Sequence, residues 1–253
     1  MTDPPLRLDV ALVQRSMARS RAQALVAAGQ VTVAGRTAAK PSLLVSSADL
    51  IEVLGARCPY VSRAGLKLEA ALDTFALSVD GSTALDVGAS TGGFSDCLLQ
   101  RGAARVHAVD VGHGQLALPL ASEPRLFYRE GVNARTLSPA DFPALFDIIV
   151  ADLSFISLSL ILPVLPPLLR PQGNVICLVK PQFEVGHEKL GKRGIVRDPD
   201  AHRAALERVR NSAQQAGFAE HGCRDSPLLG GEGNREFLLW LGWDAGEAAG
   251  DAE

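Results

Sequence analysis

Residues 175–179, Val-Ile-Cys-Leu-Val, form a continuous apolar run, the pattern of a strand buried on both faces. Lys180 ends the run and Pro181 stops the strand. Similar short runs in TALDVG, RVHAVDVG, FDIIVADLS and REFLLWLGW each predict a strand. Between them, GLKLEAALDTFAL, GGFSDCLLQRG and AHRAALERVRNSAQQAGF repeat apolar positions at helical spacing, and SLILPVLPPLLR reads as an apolar helix carrying prolines. Buried strands alternating with helices predict an α/β fold with a doubly wound, mostly parallel sheet.

Upstream the pattern differs. RLDVALVQR puts Leu8, Ala11 and Leu12 on one helical face, and SRAQALVAAG puts Ala22, Leu25 and Val26 on another, with Ser20 as N-cap and Gly29 as the stop. QVTVAGRTA reads as a strand and a glycine turn, and DLIEVL as a further strand. The pattern predicts a small α+β module over residues 1–55 and a linker over 56–64. The larger domain is expected over 65–243 and an acidic disordered tail over 244–253.

Charge sharpens this division. Residues 1–60 carry seven cations against four carboxylates, an excess of three, while the whole chain stands at −3, so the remainder holds a net −6. A basic module on an acidic body suggests two jobs, the first with an anionic partner. No apolar run reaches the ~18–20 residues that span a bilayer, and MTDPPLRLDV lacks the regions of a signal peptide. Cys58, Cys97, Cys177 and Cys223 have no metal-ligand spacing and the histidines are dispersed, so no metal site is expected. The cysteines read as small core residues of a cytoplasmic protein.

The strongest local signal is LDVGASTGGFSD at 85–96, a strand running through a glycine-rich turn into a helix. Gly88, Gly92 and Gly93 do not fall as GxGxxG, so the turn suits a ligand without a pyrophosphate, or is structural only. Asp110 in HAVDVG ends the second strand, where a carboxylate can accept both hydroxyls of an adenosine ribose or simply cap a turn. Asp152 and Lys180 end two further strands, so both should converge with Gly88 and Asp110 on one edge of the sheet. Glu236 begins a strand that would reach that edge if antiparallel, and Lys67 lies in the helix before the first strand. Each alone reads as a rim ion pair, and Lys180 as a snorkelling cation; together, two lysines and two carboxylates could tune an amine to move a proton.

Residues from Tyr60 to Trp240 resemble S-adenosylmethionine-dependent methyltransferases of the FtsJ/RrmJ type, with Lys67, Asp152, Lys180 and Glu236 matching the Lys-Asp-Lys-Glu tetrad in order. Residues 6–54, with RLD, SRAQA, AGQVTVAG and KPS, are similar to the small RNA-binding module of a ribosomal small-subunit protein, pseudouridine synthases and bacterial tyrosyl-tRNA synthetases. With YVSRAGLKL, ADLSFISL, LVKPQFEVG and GNREFLL, the chain as a whole resembles the TlyA family of ribosomal RNA 2′-O-methyltransferases. Ala34 departs from the asparagine usual in the module's turn, which leaves that turn less favoured.

The resemblance implies a Rossmann-like methyltransferase domain, S-adenosylmethionine as methyl donor, and ribosomal RNA or ribosomal subunits as partner, with cytidine as the nucleotide. Lys180 is then the base that takes the ribose proton, with Lys67, Asp152 and Glu236 setting its ionisation and orientation. The donor is expected across Gly88, Ser90, Gly92, Gly93 and Phe94, near Asp152, with Asp110 on its ribose. Asn133 either meets the adenine edge or serves a turn. Arg7, Arg19, Arg21 and Lys40 are phosphate-contact candidates in the module; Lys189, Lys192, Arg193 and Arg197 are the same in EVGHEKLGKRGIVRD, which otherwise reads as a solvated loop. Phe155 and Phe183 flank the site and either stack on a splayed base or fill the core. An RNA-binding assembly factor with an inert second domain and a small-molecule methyltransferase remain alternatives. The label haemolysin, often attached to the family, has little physical basis in a chain with neither a spanning run nor a cationic amphipathic helix flanked by aromatics.

Overall fold

The computed structural model describes residues 5–14, 18–27, 31–46, 49–53, 58–186, 190–191, 194–230 and 233–244, with the backbone alone for Arg21 and Glu52. The chain divides into two compact units, residues 1–59 and 60–253.

In the first unit, β1 (Leu6–Arg7) leads into α1 (Leu8–Val13), followed by α2 (Arg19–Ala27), β2 (Val31–Val33), β3 (Arg36–Thr37), β4 (Leu44–Val45) and β5 (Ile51–Val53). The antiparallel strands run β3-β2-β5, and β1 pairs with β4. The helical spacing of Leu8, Leu12, Ala22 and Val26 closes a core over Val31, Val45 and Ile51. Ser20 lies inside α2, not at its N-cap, and Gly29 falls outside the described residues.

Ala34 and Gly35 link β2 to β3 with φ of 50° and 75°. A two-residue hairpin with both φ positive matches the strand twist but strains any residue with a Cβ, alanine more than asparagine. Replacing Ala34 with asparagine is expected to stabilise this unit by about 0.5–1 kcal/mol. A higher urea midpoint at constant slope is the readout; an unchanged or lower midpoint would show that the turn carries no such strain.

The second unit opens with α3 (Ala64–Thr74), β6 (Thr83–Val87), α4 (Gly93–Gln100), β7 (Arg105–Val109) and β8 (Leu126–Arg129). It continues with β9 (Phe146–Ala151), β10 (Leu169–Val179), α5 (Pro181–Glu184), α6 (Pro199–Gln215), β11 (Ala219–Asp225) and β12 (Phe237–Trp243). Seven strands form one sheet in the order β11-β12-β10-β9-β6-β7-β8, parallel except for β12, which is antiparallel to both neighbours. The doubly wound sheet expected from the alternating pattern is present. The central strands are predominantly apolar because both faces are covered; Leu85, Val87, Ile149, Val175, Cys177 and Val179 are fully buried.

SLILPVLPPLLR is not a helix. Residues 158–160, 162–164 and 166–168 form three separate 3₁₀ turns. Pro163, Pro166 and Pro167 cannot donate the hydrogen bonds that an α-helix needs, and each starts or enters a new turn. The apolar pattern still does its work, since Leu158, Ile161, Leu162, Leu165 and Leu168 are all buried. The segment read as a linker is packed at its far end: Tyr60 is buried, and its hydroxyl donates to Glu69 at 2.8 Å.

Candidate functional site

The strand order sets the site. β7, β6, β9, β10 and β12 are successive neighbours, and their ends present Asp110, Gly88, Asp152, Lys180 and Glu236 in that order along the carboxyl edge of the parallel strands. The Asp152 amide donates to Val87 at 3.2 Å and the Gly88 amide to Val109 at 2.9 Å, so both residues leave the sheet hydrogen-bonded to it. The last β10–β12 pair is Val179 with Phe237, so the next residues, Lys180 and Glu236, step off the sheet together. Expectation and structure agree on this convergence.

Two ion pairs occupy the edge. Lys180 Nζ lies 2.7 Å from Asp152 Oδ1, with side chains 11% and 16% exposed. It also donates to Ser154 Oγ at 2.9 Å. The approach to Asp152 is close without the alignment of a hydrogen bond, so this contact is an ion pair by charge. Lys67 Nζ lies 2.5 Å from Glu236 Oε2, with side chains 11% and 3% exposed. Snorkelling would leave an ammonium in water; both lysines instead point inward at a carboxylate. Lys67 comes from α3, where its neighbours Leu68, Ala71 and Leu72 bury the same helix face.

At the glycine turn, Gly88 and Gly92 have φ of 86° and 89°. Each glycine also has a packing reason. A Cβ on Gly88 would stand 2.9 Å from the Asp152 carbonyl, and one on Gly93 would stand 2.1 Å from Ser62 Oγ. Gly93 therefore serves close approach of α4 to the start of α3. The first turn of α4 offers the N–H groups that a helix leaves unpaired at its start. Phe94 is buried, so its ring belongs to the core and what it offers a ligand is its backbone amide. Asp110 is held by both oxygens: Ser90 N donates to Oδ2 at 2.8 Å and Gly112 N to Oδ1 at 2.7 Å. Ser90 Oγ donates to Gln115 at 3.0 Å. Asn133 Oδ1 accepts from Arg135 N at 3.0 Å and caps a 3₁₀ turn, so the turn reading of this residue is met.

The cation candidates separate. Arg7 is not a free charge, because its Nε and Nη2 both bond Asp9 at 3.0 Å, and Arg19 stands 3.6 Å from the same carboxylate. The Arg7 guanidinium, opposed by burial and helped by Gln23 and Arg19, holds the Asp9 carboxyl well below the usual range. Lys40 and Arg197 are exposed. The side chain of Arg21, and all of Lys189, Lys192 and Arg193, lie outside the described residues. EVGHEKLGKRGIVRD is not solvated throughout, since Glu184 and Val196 are buried and Val196 N donates to Asn234 Oδ1 at 2.9 Å. Phe155 is 91% exposed and Phe183 lies 5.2 Å from it, so Phe155 is no core aromatic.

Sequence reasoning missed Asp86, although a carboxylate inside an apolar strand two residues before Gly88 was a visible signal. It is fully buried, accepts from Ser95 Oγ at 2.7 Å, and its Oδ1 has no hydrogen-bond partner. Burial, opposed by Ser95 and reinforced by the charges of Asp152 and Asp110, pushes its carboxyl up to about 7. Ser154 was also missed, as nothing marks a serine for a lysine partner 26 residues on. Among the described residues, no group of His, Cys, Asp and Glu could hold a metal ion, and no helix is long and apolar enough to cross a membrane.

Comparisons with known proteins agree with this architecture. Residues 60–243 match the FtsJ-like methyltransferase family and residues 6–51 the S4 domain. The chain is 45% identical over 238 residues to the 16S/23S rRNA (cytidine-2′-O)-methyltransferase TlyA of Mycobacterium tuberculosis, covering 93% of this chain and 89% of that one. A solved structure of a hemolysin-named protein from Streptococcus thermophilus is 42% identical, with a TM-score of 0.78 over 96% of this chain and 90% of that one. An S-adenosylmethionine-dependent methyltransferase from Listeria monocytogenes, 14% identical, shares the fold with a TM-score of 0.55 over 72% of this chain and all of that one. With matches over nearly its whole length, the chain belongs to the TlyA family, an FtsJ-like methyltransferase preceded by an S4 domain.

Proposed function

We propose that the protein methylates the ribose 2′-hydroxyl of cytidine in ribosomal RNA, with S-adenosylmethionine as donor and Lys180 as general base, in the cytoplasm where ribosomal subunits are found. The observation that carries this reading is the Lys180 amine, held between Asp152 and Ser154 at the sheet edge next to the glycine turn. The residues fit the donor. Asp86 Oδ1 is a buried acceptor without a partner, and Asp110 stands fixed at the end of the next strand. Carboxylates at both places suit a ligand with a cationic amino-acid end and a ribose. When bound, S-adenosylmethionine supplies an electrophilic methyl group.

The chain's own residues do the rest. A 2′-hydroxyl is a poor nucleophile until its proton leaves, and Lys180 Nζ in its neutral form accepts that proton. Asp152 and Ser154 fix the direction of the amine, and Asp152 balances the ammonium that forms. Glu236 and Lys67 close the neighbouring end of the edge as a mutually neutralised pair. Phe155 offers a solvent-facing ring beside Phe183 on which an unstacked base can lie. In the S4 domain, Arg19, Arg21 and Lys40 position the RNA through phosphates, with Arg7 restrained by Asp9; Lys189, Lys192, Arg193 and Arg197 do the same from the second domain.

Tritium from labelled S-adenosylmethionine is expected to enter the RNA of unmodified ribosomal subunits, leaving one linkage resistant to alkali because its 2′-oxygen can no longer attack the phosphate. A protein that binds the donor yet transfers nothing to subunits or their RNA overturns the proposal. Asp110→Ala is expected to weaken donor binding at least about tenfold in calorimetry, the loss of a charged hydrogen-bond acceptor, with the circular dichroism spectrum kept. Unchanged affinity would remove Asp110 from the ribose.

A further inference from the structure

The four-residue helix α5 begins at Lys180 as its N-cap and ends on Glu184, whose side chain turns into the protein. Glu184 Oε1 accepts from the Leu158 amide at 2.8 Å and Oε2 accepts from Ser157 Oγ at 2.5 Å. Ser157 caps the 3₁₀ turn at 158–160, and its oxygen in turn accepts from Ser159 N at 3.2 Å. Two contacts fasten this arrangement to α6: Arg208 Nη1 donates to the Glu184 carbonyl at 3.2 Å, and Ser212 Oγ to the Ser159 carbonyl at 3.2 Å.

The fastened turn closes the loop that leaves β9, and that loop carries Asp152, Ser154 and Phe155. Phe155 has φ of 64°, an outlier for a bulky residue, and its ring is almost wholly in solvent. A chain free to relax would leave that conformation and fold the ring down, so its surroundings must over-determine it. The buried Glu184 carboxylate is the strongest acceptor bonded to this turn. Burial raises its carboxyl above the usual range, against the Ser157, Leu158 and Arg208 interactions that lower it.

We propose that Glu184 is a positioning residue of the methyltransferase site. Its carboxylate clamps the turn at Ser157 and Leu158, and thereby holds the Phe155 ring out where an RNA base is received. This rests on the reading of Phe155 as a base-stacking residue. It also accounts for the length of the KPQFE segment, which spans from the base to the clamp in one helical turn.

The test combines exchange and kinetics on the full chain. In Glu184→Ala, the Leu158 amide is expected to exchange with deuterium at least tenfold faster, and transfer to unmodified ribosomal subunits to lose at least tenfold in kcat/KM, mainly through KM. Glu184→Gln keeps one acceptor for Leu158 and offers its amide to Ser157, and should stay within threefold of the parent in both. Phe155→Ala should lose a similar factor, and Glu184→Ala combined with it should lose no more than threefold beyond either alone. Effects that multiply, or a glutamine variant as poor as alanine, overturn the proposal. Should Glu184→Ala fail to fold, Ser157→Ala removes one arm only: a smaller loss that vanishes beside Phe155→Ala supports the clamp, and parent-like transfer overturns it. Phe155→Ala with full transfer would instead sink the base-stacking reading and the substrate half of the clamp with it, while the Leu158 exchange would still report on the clamp itself.

Discussion

Lys180→Ala is expected to lower the rate of methyl transfer by roughly 10²–10⁴-fold, the range lost when a general base is removed. Donor affinity should stay within about threefold, because the groups proposed to hold the donor are Asp86, Asp110 and the start of α4. Lys180→Arg should be no better than alanine, since a guanidinium keeps its proton and cannot accept another. The fold should survive: Asp152 loses its ion pair with the lysine, but its side chain is 16% exposed and can recover water. Single-turnover transfer to unmodified subunits at saturating donor separates this from a binding defect. Full transfer by the alanine variant would return Lys180 to an incidental rim cation. An active arginine variant would show that a positive charge is needed there and a base is not.

The parts of this site visible in the sequence are those that strand ends dictate. A continuous apolar run marks a strand buried on both faces, and in a parallel sheet its last residue lies at the ligand edge; that places Gly88, Asp110, Asp152 and Lys180 without any contact being known. Glu236 required one further guess, the antiparallel sense of β12, and β12 has it. What stayed hidden depends on turns. Phe155 reads equally as a stacking ring or a core aromatic in the sequence, and its φ of 64° with a ring 91% exposed excludes the core. Asp86 is visible as a carboxylate in an apolar strand, but its full burial with Oδ1 unpartnered is a matter of packing that the strand pattern does not carry. β11 was missed because AEHGCRD has little apolar content and lies at the sheet's edge, where most of its side chains meet water. The apolar content of residues 158–168 reads as a helix, but Pro163, Pro166 and Pro167 remove the hydrogen bonds that a continuous helix needs. Arg7 looked like a free phosphate ligand since the fork it makes with Asp9, two residues away, needs a strand-to-helix bend between them.

The Lys67–Glu236 pair separates stability from chemistry more sharply than any other part of the edge. Glu236→Ala is expected to destabilise the protein by about 3–5 kcal/mol, because it leaves a buried ammonium without its partner. The lower end is the better expectation. Lys67 borders a cavity of about 230 Å³ with Ser62, Arg63, Ala64, Leu228 and Leu229, and water entering there can take up part of the charge. Removing both charges at once, as Lys67→Met with Glu236→Leu, removes the orphan too, so the double variant should unfold within about 1–2 kcal/mol of the parent or above it. Chemical denaturation of the parent, the single variant and the double variant gives the comparison, and donor binding by the double variant shows that the glycine turn is intact. Methyl transfer should nevertheless be lost in the double variant, since an apolar pair leaves Lys180 without the charged neighbours expected to orient it. Recovered transfer together with recovered stability would reduce Lys67 and Glu236 to scaffolding and leave Lys180 and Asp152 as the whole of the machinery; a Glu236→Ala protein as stable as the parent would mean that Lys67 reaches water without help.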